Sequence, residues 1–221
     1  MNTSLKYPRT FHFPYSKGCT NDDKISNDVS NLIGKQIVIT EKMDGSNTSL
    51  ESSGCFARTH SGPPTHASFD GLKALHASVK FKIPEEIQLF GEWLFALHSI
   101  SYNELPNYFL LFNVRDCGKE QPIWLSWDEV QMWADELGVQ TVPVLFKGAV
   151  ASEDDLQELV ESLMLQPSIC GGVREGVVVR VQSEFSEDNF PKCVLKCVRE
   201  NHVQTSTHWK EQEIIKNKLK L

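Results

Sequence analysis

Residues 36–47 read Gln36-Ile37-Val38-Ile39-Thr40-Glu41-Lys42-Met43-Asp44-Gly45-Ser46-Asn47. The β-branched run Ile37–Thr40 predicts a strand, and Asp44-Gly45 predicts the turn that follows it. Lys42 therefore falls at a sheet edge facing a cleft, where binding and catalytic groups concentrate. A lysine there acts as a nucleophile once neutral, and desolvation or a nearby positive charge, from another lysine or a metal, lowers its pKa. The four-residue pattern KxDG also describes an ordinary exposed turn lysine, so its meaning depends on the rest of the chain.

Working outward, short β-branched and aromatic runs recur as CFART (55–59), IQLFGEWLF (87–95), YFLLFNVRD (108–116), GVVVRV (176–181) and KCVLKCV (192–198). Helices carry start signals of their own. Ser126 with Glu129 forms a capping-box pattern, followed by Val130, Trp133, Ala134 and Leu137 on one face and Gly138 as the stop. Ser152 with Asp155 opens a second helix to about Leu165, its buried stripe being Leu156, Leu159, Val160 and Leu163. A third, shorter helix is expected around Leu72, Leu75, His76 and Val79. Strands outnumber helices and do not alternate with them regularly. That disfavours a doubly wound parallel sheet and predicts an α+β fold of mainly antiparallel sheets flanked by helices. No repeat, linker or boundary divides the chain, so residues 1–221 are expected to form one domain, with 14–31 a polar loop leading to the strand at Gln36.

The 221 residues are 40% hydrophobic and 23% charged, as in an ordinary folded chain. No run is long and apolar enough to span a membrane, and MNTSLKYPRTFHF lacks the features of a secretory signal, so a cytoplasmic location is expected. The six cysteines are then expected as reduced thiols and small buried hydrophobes. Cys193 and Cys197 lack the companions of a zinc site. A net charge of -7 argues against a broadly basic nucleic-acid-binding surface. Acidic residues cluster at 151–161 and 184–188, however, which is compatible with a basic cleft and an acidic back. The basic tail Lys210, Lys216, Lys218 and Lys220 reads as a solvated helix end. Asn201, His202, Gln204 and His208 read either as contacts to a nucleic acid end or as a hydrogen-bonded loop capping the sheet. Trp124, Trp127 and Trp133 are assigned to the core.

Arg58, Glu92, Phe112, Glu175 and Lys196 each place a polar or stacking group in or beside a predicted strand, where charge is costly unless it is paired or lines a site. Alternation within KCVLKCV puts Lys196 on one face with Val194 and Val198, and Cys193, Leu195 and Cys197 on the other. With Lys42 these residues form an ordered set, and from about Gln36 to Val198 the chain resembles the covalent nucleotidyltransferases, most closely the RNA ligase 2-like branch of RNA-sealing proteins.

The resemblance implies a nucleotidyltransferase (ATP-grasp-like) domain in which Lys42 attacks the α-phosphate of ATP to form lysyl-AMP. It implies adenine recognition by Glu41, and a place for Asn47 near the phosphate and RNA end. Arg58 and Glu92 match groups on the ribose and phosphate, and Phe112 matches the base-stacking aromatic. Glu175 matches the acid that binds the lysine or a metal-bound water, and Lys196 matches an α-phosphate contact. Lys42, Glu175 and Lys196 are thus the expected catalytic residues, ATP and Mg2+ or Mn2+ the expected cofactors, and Glu175, directly or through water, and Asp44 the expected metal contacts.

The expected activity is RNA ligation: AMP passes to a 5′-phosphate, which a 3′-hydroxyl then attacks. RNA is the expected partner, with DNA as an alternative and a protein partner supplying additional binding surface. Two departures qualify this. Val198 stands where many relatives carry a second lysine, leaving Arg199 or Lys192 as stand-ins, and no separate C-terminal domain follows. Both favour a rival reading, a self-adenylylating or ATP-binding module that works as a subunit or sensor without sealing ends.

Overall fold

The computed structural model describes residues 6–58, 62–200 and 214–220. In chain order the strands are β1 (Phe11–His12), β2 (Gln36–Lys42), β3 (Ser46–Glu51), β4 (Gly54–Ala57), β5 (Ile87–Trp93), β6 (Phe109–Asp116), β7 (Ile123–Trp124), β8 (Gln140–Thr141), β9 (Val144–Ala149), β10 (Gly176–Val181), β11 (Phe185–Ser186) and β12 (Val194–Val198). The helices are α1 (Asp70–Val79), α2 (Trp127–Leu137), α3 (Glu153–Met164) and the single turn α4 (Phe190–Cys193).

Five strands form a small sheet in the order β1-β12-β10-β2-β9, and seven form a large one in the order β11-β7-β6-β5-β3-β4 with β8 beside β6. Every pairing is antiparallel except β1 with β12 and β6 with β8. The chain passes from the small sheet to the large one through Met43–Gly45, so the turn read from Asp44-Gly45 is the crossing between sheets. The fold is the expected α+β arrangement.

Local chemistry accounts for the helices. Ser126 accepts the Glu129 N–H while the Glu129 carboxylate accepts the Ser126 N–H, and Gly138 ends α2 in the left-handed region at φ 67°. Ser152 caps α3 through the Asp155 N–H. Leu156, Val160 and Leu163 of α3 pack with Ile37, Ile39, Val177 and Val179 in one apolar cluster. Strand alternation then turns Val38, Thr40 and Lys42 of β2, and Val178 and Arg180 of β10, to the opposite face. A second cluster joins α1 and α2 to the large sheet through Leu72, Leu89, Leu111, Trp127 and Val130.

Trp124 and Trp127 are buried, and Trp133 packs half-buried at the margin. All six cysteines are free thiols; Cys55, Cys170, Cys193 and Cys197 are buried, Cys19 and Cys117 only partly. No helix among the described residues is long and apolar enough to cross a membrane.

One segment, the basic tail, departs from the sequence reading; residues 14–31 form the expected loop, ending in the single 3-10 turn Ser30–Leu32. Residues 14–31 are tied down: His12 donates its N–H to Lys24 O and Ser26 donates to His12 O, holding the loop against β1 and hence against β12. The basic tail is not helical where described. Residues 214–220 run as an extended strap over the loop 94–105, with Leu97 donating to Ile215 O, Asn217 to Phe95 O and Lys220 to Leu105 O. Lys210 and the candidate contacts Asn201, His202, Gln204 and His208 lie outside the described residues.

Candidate active site

The two sheets enclose a cleft of about 660 Å³, within the range of small-molecule sites. Lys42, Val178 and Lys196 line it from the small sheet, and Asn47, Glu92 and Phe112 from the large one.

Register explains the convergence. Lys42 pairs with Gly176, and Thr40, Val178 and Lys196 form a row across β2, β10 and β12. A Cβ at Gly176 would sit 2.3 Å from Cys197 O, so only glycine lets β10 approach β12 this closely. Glu175, one residue earlier, then faces Lys42. The Lys42 ammonium donates to both Glu175 oxygens at 2.8 Å. The Glu175 side chain is 5% exposed while that of Lys42 keeps 27%, which leaves the amine accessible from the cleft.

The charge state of Lys42 in this resting arrangement differs from the sequence expectation. Burial pulls its pKa down as anticipated, but Glu175, then Glu92 and Asp44, outweigh burial and hold it above the usual lysine range. A neutral amine in this arrangement requires proton loss within the pair. Burial raises Glu175 against the opposing pull of Lys42, and it pushes Glu92 to about 8, with Lys42 opposing and Glu175 reinforcing. Burial, with Lys42 adding to it, lowers Lys196 against the pull of Asp23.

On the large sheet, Asn47 pairs in register with Glu92, and its buried Oδ1 has no hydrogen-bond partner among the described residues. Phe112 owes its aim to a β-bulge. Phe90 pairs with Asn113 but Gly91 with Leu111, so Phe112 is the extra residue on β6. Its ring meets Tyr7 edge-on at 5.1 Å. Arg58 is exposed at the cleft rim just past β4.

Asp44 and Glu41 are committed differently. Asp44 Oδ2 accepts the Ser99 and Ile100 N–H groups at 2.7 and 2.8 Å, and its own N–H donates to the Tyr102 hydroxyl at 2.9 Å, so it shapes the crossing turn. A Cβ at Gly45 would lie 2.6 Å from Trp93 O, which explains the glycine of the motif. The Glu41 carboxylate is buried on the α3 side of the sheet, where it accepts the Ile169 N–H at 3.0 Å and lies 3.7 Å from Arg174 Nε.

Neither proposed stand-in for the second lysine lines the cleft. Lys192 is exposed on α4, and Arg199 is anchored past β12 by its N–H to Glu175 O. Val198 is buried beside Gly176. Of the cleft cations not named from the sequence, Arg180 lies on β10, and Arg9 comes from the N-terminal segment that also contributes Tyr7, Asp22 and Asp23. The N-terminal residues lie in no periodic pattern that would have flagged them. Arg180 was visible as a charge interrupting an apolar strand. It is buried and donates to Asn113 Oδ1 at 2.7 Å and Leu125 O at 2.6 Å, with no carboxylate among the described residues within ion-pair distance.

With this geometry in hand, comparison with known proteins finds that the RNA ligase family model matches residues 35–198. No curated protein matches the chain in sequence. Among solved structures, an apo variant of Naegleria gruberi RNA ligase aligns with a TM-score of 0.56 at 18% identity, covering 90% of this chain and 63% of that one. A variant of the same ligase with ATP and Mn gives 0.55 at 19%, covering 90% and 61%. An archaeal ATP-dependent RNA ligase gives 0.53 at 16%, covering 88% and 48%. At these identities the likeness is one of fold, and the chain spans between about half and two thirds of each of these relatives.

Proposed function

The chain belongs to the RNA ligase family, and from that premise we propose that it is an ATP-dependent RNA ligase working through a covalent lysyl-AMP on Lys42. The observation that carries this reading is a buried carboxylate holding an accessible amine through two hydrogen bonds, with Lys196 on the same sheet face two strands away.

In this reading the adenine enters the slot between Phe112 and Val178, with the Glu41 carboxylate turned away from it toward Ile169 and Arg174, while Arg58 and Glu92 hold the ribose and phosphate. Lys42 passes a proton to Glu175, whose burial favours its neutral form, and Nζ attacks the α-phosphorus. A nitrogen–phosphorus bond forms, the bond to pyrophosphate breaks, and the nitrogen releases its second proton to solvent. Lys196 neutralises charge developing on the α-phosphate oxygens. A 5′-phosphate oxygen of RNA then attacks the adenylate phosphorus, and Lys42 leaves and regains both protons. Finally a 3′-hydroxyl attacks the activated 5′-phosphate and AMP departs.

The residues present suit a divalent cation, Mg2+ or Mn2+. Glu175, and Glu92 once a bound ion displaces its proton, would offer hard oxygen donors, and Asn47 Oδ1 is buried with no partner among the described residues. Such an ion would neutralise charge on the phosphates. Asp44 is the weaker candidate, since its Oδ2 already accepts two backbone N–H groups.

The rival reading, a module that adenylylates itself or binds ATP without sealing ends, is favoured by Val198 in place of a cation and by the net charge of -7. Incubation with α-labelled ATP and magnesium, followed by a chase with 5′-phosphorylated RNA or DNA, separates the two. Label that enters the protein and passes to RNA supports the ligase, transfer to DNA alone a DNA ligase, and label that stays on the protein the module. Undiminished labelling of Lys42→Ala overturns both.

A further inference from the structure

The N-terminal segment carries a polar chain, buried at His12 and Ser16, that ends on Lys196. The Val198 N–H donates to Ser16 Oγ at 3.0 Å, and Ser16 Oγ lies 2.8 Å from His12 Nδ1. His12 Nε2 lies 3.3 Å from Asp23 Oδ1, and the same oxygen lies 3.4 Å from Lys196 Nζ. The chain thus leaves β12 at Val198 and returns to it at Lys196. His12 and Ser16 are buried, and the backbone supports them: His12 pairs with Lys196 in the β1–β12 register, and Phe13 donates its N–H to Lys196 O.

Asp23 is itself fixed. Its Oδ2 accepts the Thr20 N–H at 3.1 Å and the Thr20 hydroxyl at 2.9 Å, which leaves Oδ1 for the two nitrogens. Burial pushes its pKa up, but the Thr20 contacts, then Lys196 and His12, pull it well below the usual carboxylate range, so it stays ionised at any working pH. An anchored anion restricts where a long lysine can reach, and the Lys196 side chain is 19% exposed, open to the cleft on its remaining side. Cys19 Sγ lies within 4.8 Å of the His12 and Asp23 donor atoms, but the Lys196 ammonium supplies the positive charge that a metal ion would bring there.

We infer that Asp23, held by Thr20 and backed by His12 and Ser16, is a positioning residue that aims Lys196 at the α-phosphate, making the N-terminal loop part of the catalytic apparatus. This rests on the reading of Lys196 under Proposed function. Holding a transition-state contact in place affects the rate of the chemical step more than nucleotide affinity, and misplacement by about 1 Å costs up to ~100-fold.

The test is single-turnover lysyl-AMP formation in wild type, Asp23→Asn, Asp23→Glu, Lys196→Ala and the Asp23→Asn/Lys196→Ala double variant, with the melting temperature of each recorded. Asp23→Asn is expected to slow the saturating rate by about 10- to 100-fold with the KM for ATP moving less than about threefold, and Asp23→Glu to recover part of the loss. In the Lys196→Ala background Asp23→Asn is expected to change the rate no further. A wild-type rate in Asp23→Asn, or the same loss in both backgrounds, overturns the inference. Should Asp23→Asn unfold, Asp23→Glu carries the same comparison, since it keeps the charge and shifts it by a methylene. A wild-type rate in Lys196→Ala overturns instead the role assigned to Lys196.

Discussion

Around the amine of Lys42 stand three carboxylates, Glu175, Glu92 and Asp44, and only the first is bonded to it. Glu92 is left to settle its charge chiefly by desolvation, which takes it to about 8 from an ordinary 4.5. The consequence for stability has a definite sign. Below pH 4.5 the carboxyl is neutral in both folded and unfolded chains; between 4.5 and about 8 only the unfolded chain has released its proton, so this contribution to stability falls as pH rises and levels off above about 8. The slope reaches at most about 1.4 kcal/mol per pH unit. Glu92→Gln removes the titration. Urea unfolding from pH 5 to 9 should therefore show the variant gaining on wild type as pH rises, whereas a difference independent of pH would mean that Glu92 is ionised in the folded protein. The sequence reading placed Glu92 in one site with Glu175 and Asp44, but not the burial that, with those two acids, raises its pKa.

At the scale of elements, whatever was encoded locally was readable. Capping residues marked α2 and α3 to within a residue of their ends, and period-2 alternation correctly turned Lys196 away from Leu195 and Cys197. Pieces defined by distant partners were not readable. β3 lacks a continuous apolar run, β9 mixes Gly148 and Lys147 into its span, and the two-residue strands exist only through their pairing. The strap at 214–220 is the clearest case, since nothing in EIIKNKLK shows that Asn217 is buried. Its Oδ1 accepts the Tyr102 N–H at 2.9 Å and its Nδ2 donates to Leu94 O at 2.9 Å. Tyr102 in turn accepts the Asp44 N–H, and the intervening Ser99 and Ile100 hold the Asp44 carboxylate. Asn217→Ala strands a buried donor and acceptor and should cost about 2–3 kcal/mol. Hydrogen exchange at Ser99 and Ile100 should speed up in the variant even under conditions where it remains folded. Unchanged protection there would show that the strap does not brace the Asp44 turn.

The molecule as a whole is two sheets joined across a cleft by apolar packing, as of Phe90 and Trp124 with Val179, and by a polar link beside it. Arg180 of the small sheet donates to Asn113 of the large one, which donates at 3.2 Å to the Tyr7 hydroxyl from the N-terminal segment. Burial lowers the Arg180 pKa to about 10, so the guanidinium remains charged at neutral pH and holds both sheets at once. A ligand between the sheets should consequently stabilise the protein as one cooperative unit. At ATP concentrations of about 100 times the dissociation constant the gain is about 2.7 kcal/mol, which for a domain of this size raises the melting temperature by roughly 5–10 °C. Phe112→Ala removes the large-sheet wall of the proposed base slot and should abolish most of that shift. Lys42→Ala should retain most of it, because in the proposed mechanism the amine supplies the reacting atom rather than the base or sugar contacts. Differential scanning calorimetry with and without ATP, with magnesium present throughout, measures both variants. A full shift in Phe112→Ala would place the base elsewhere, and two resolved transitions in wild type would mean that the sheets melt independently, leaving Arg180 without the bridging part its bonds describe.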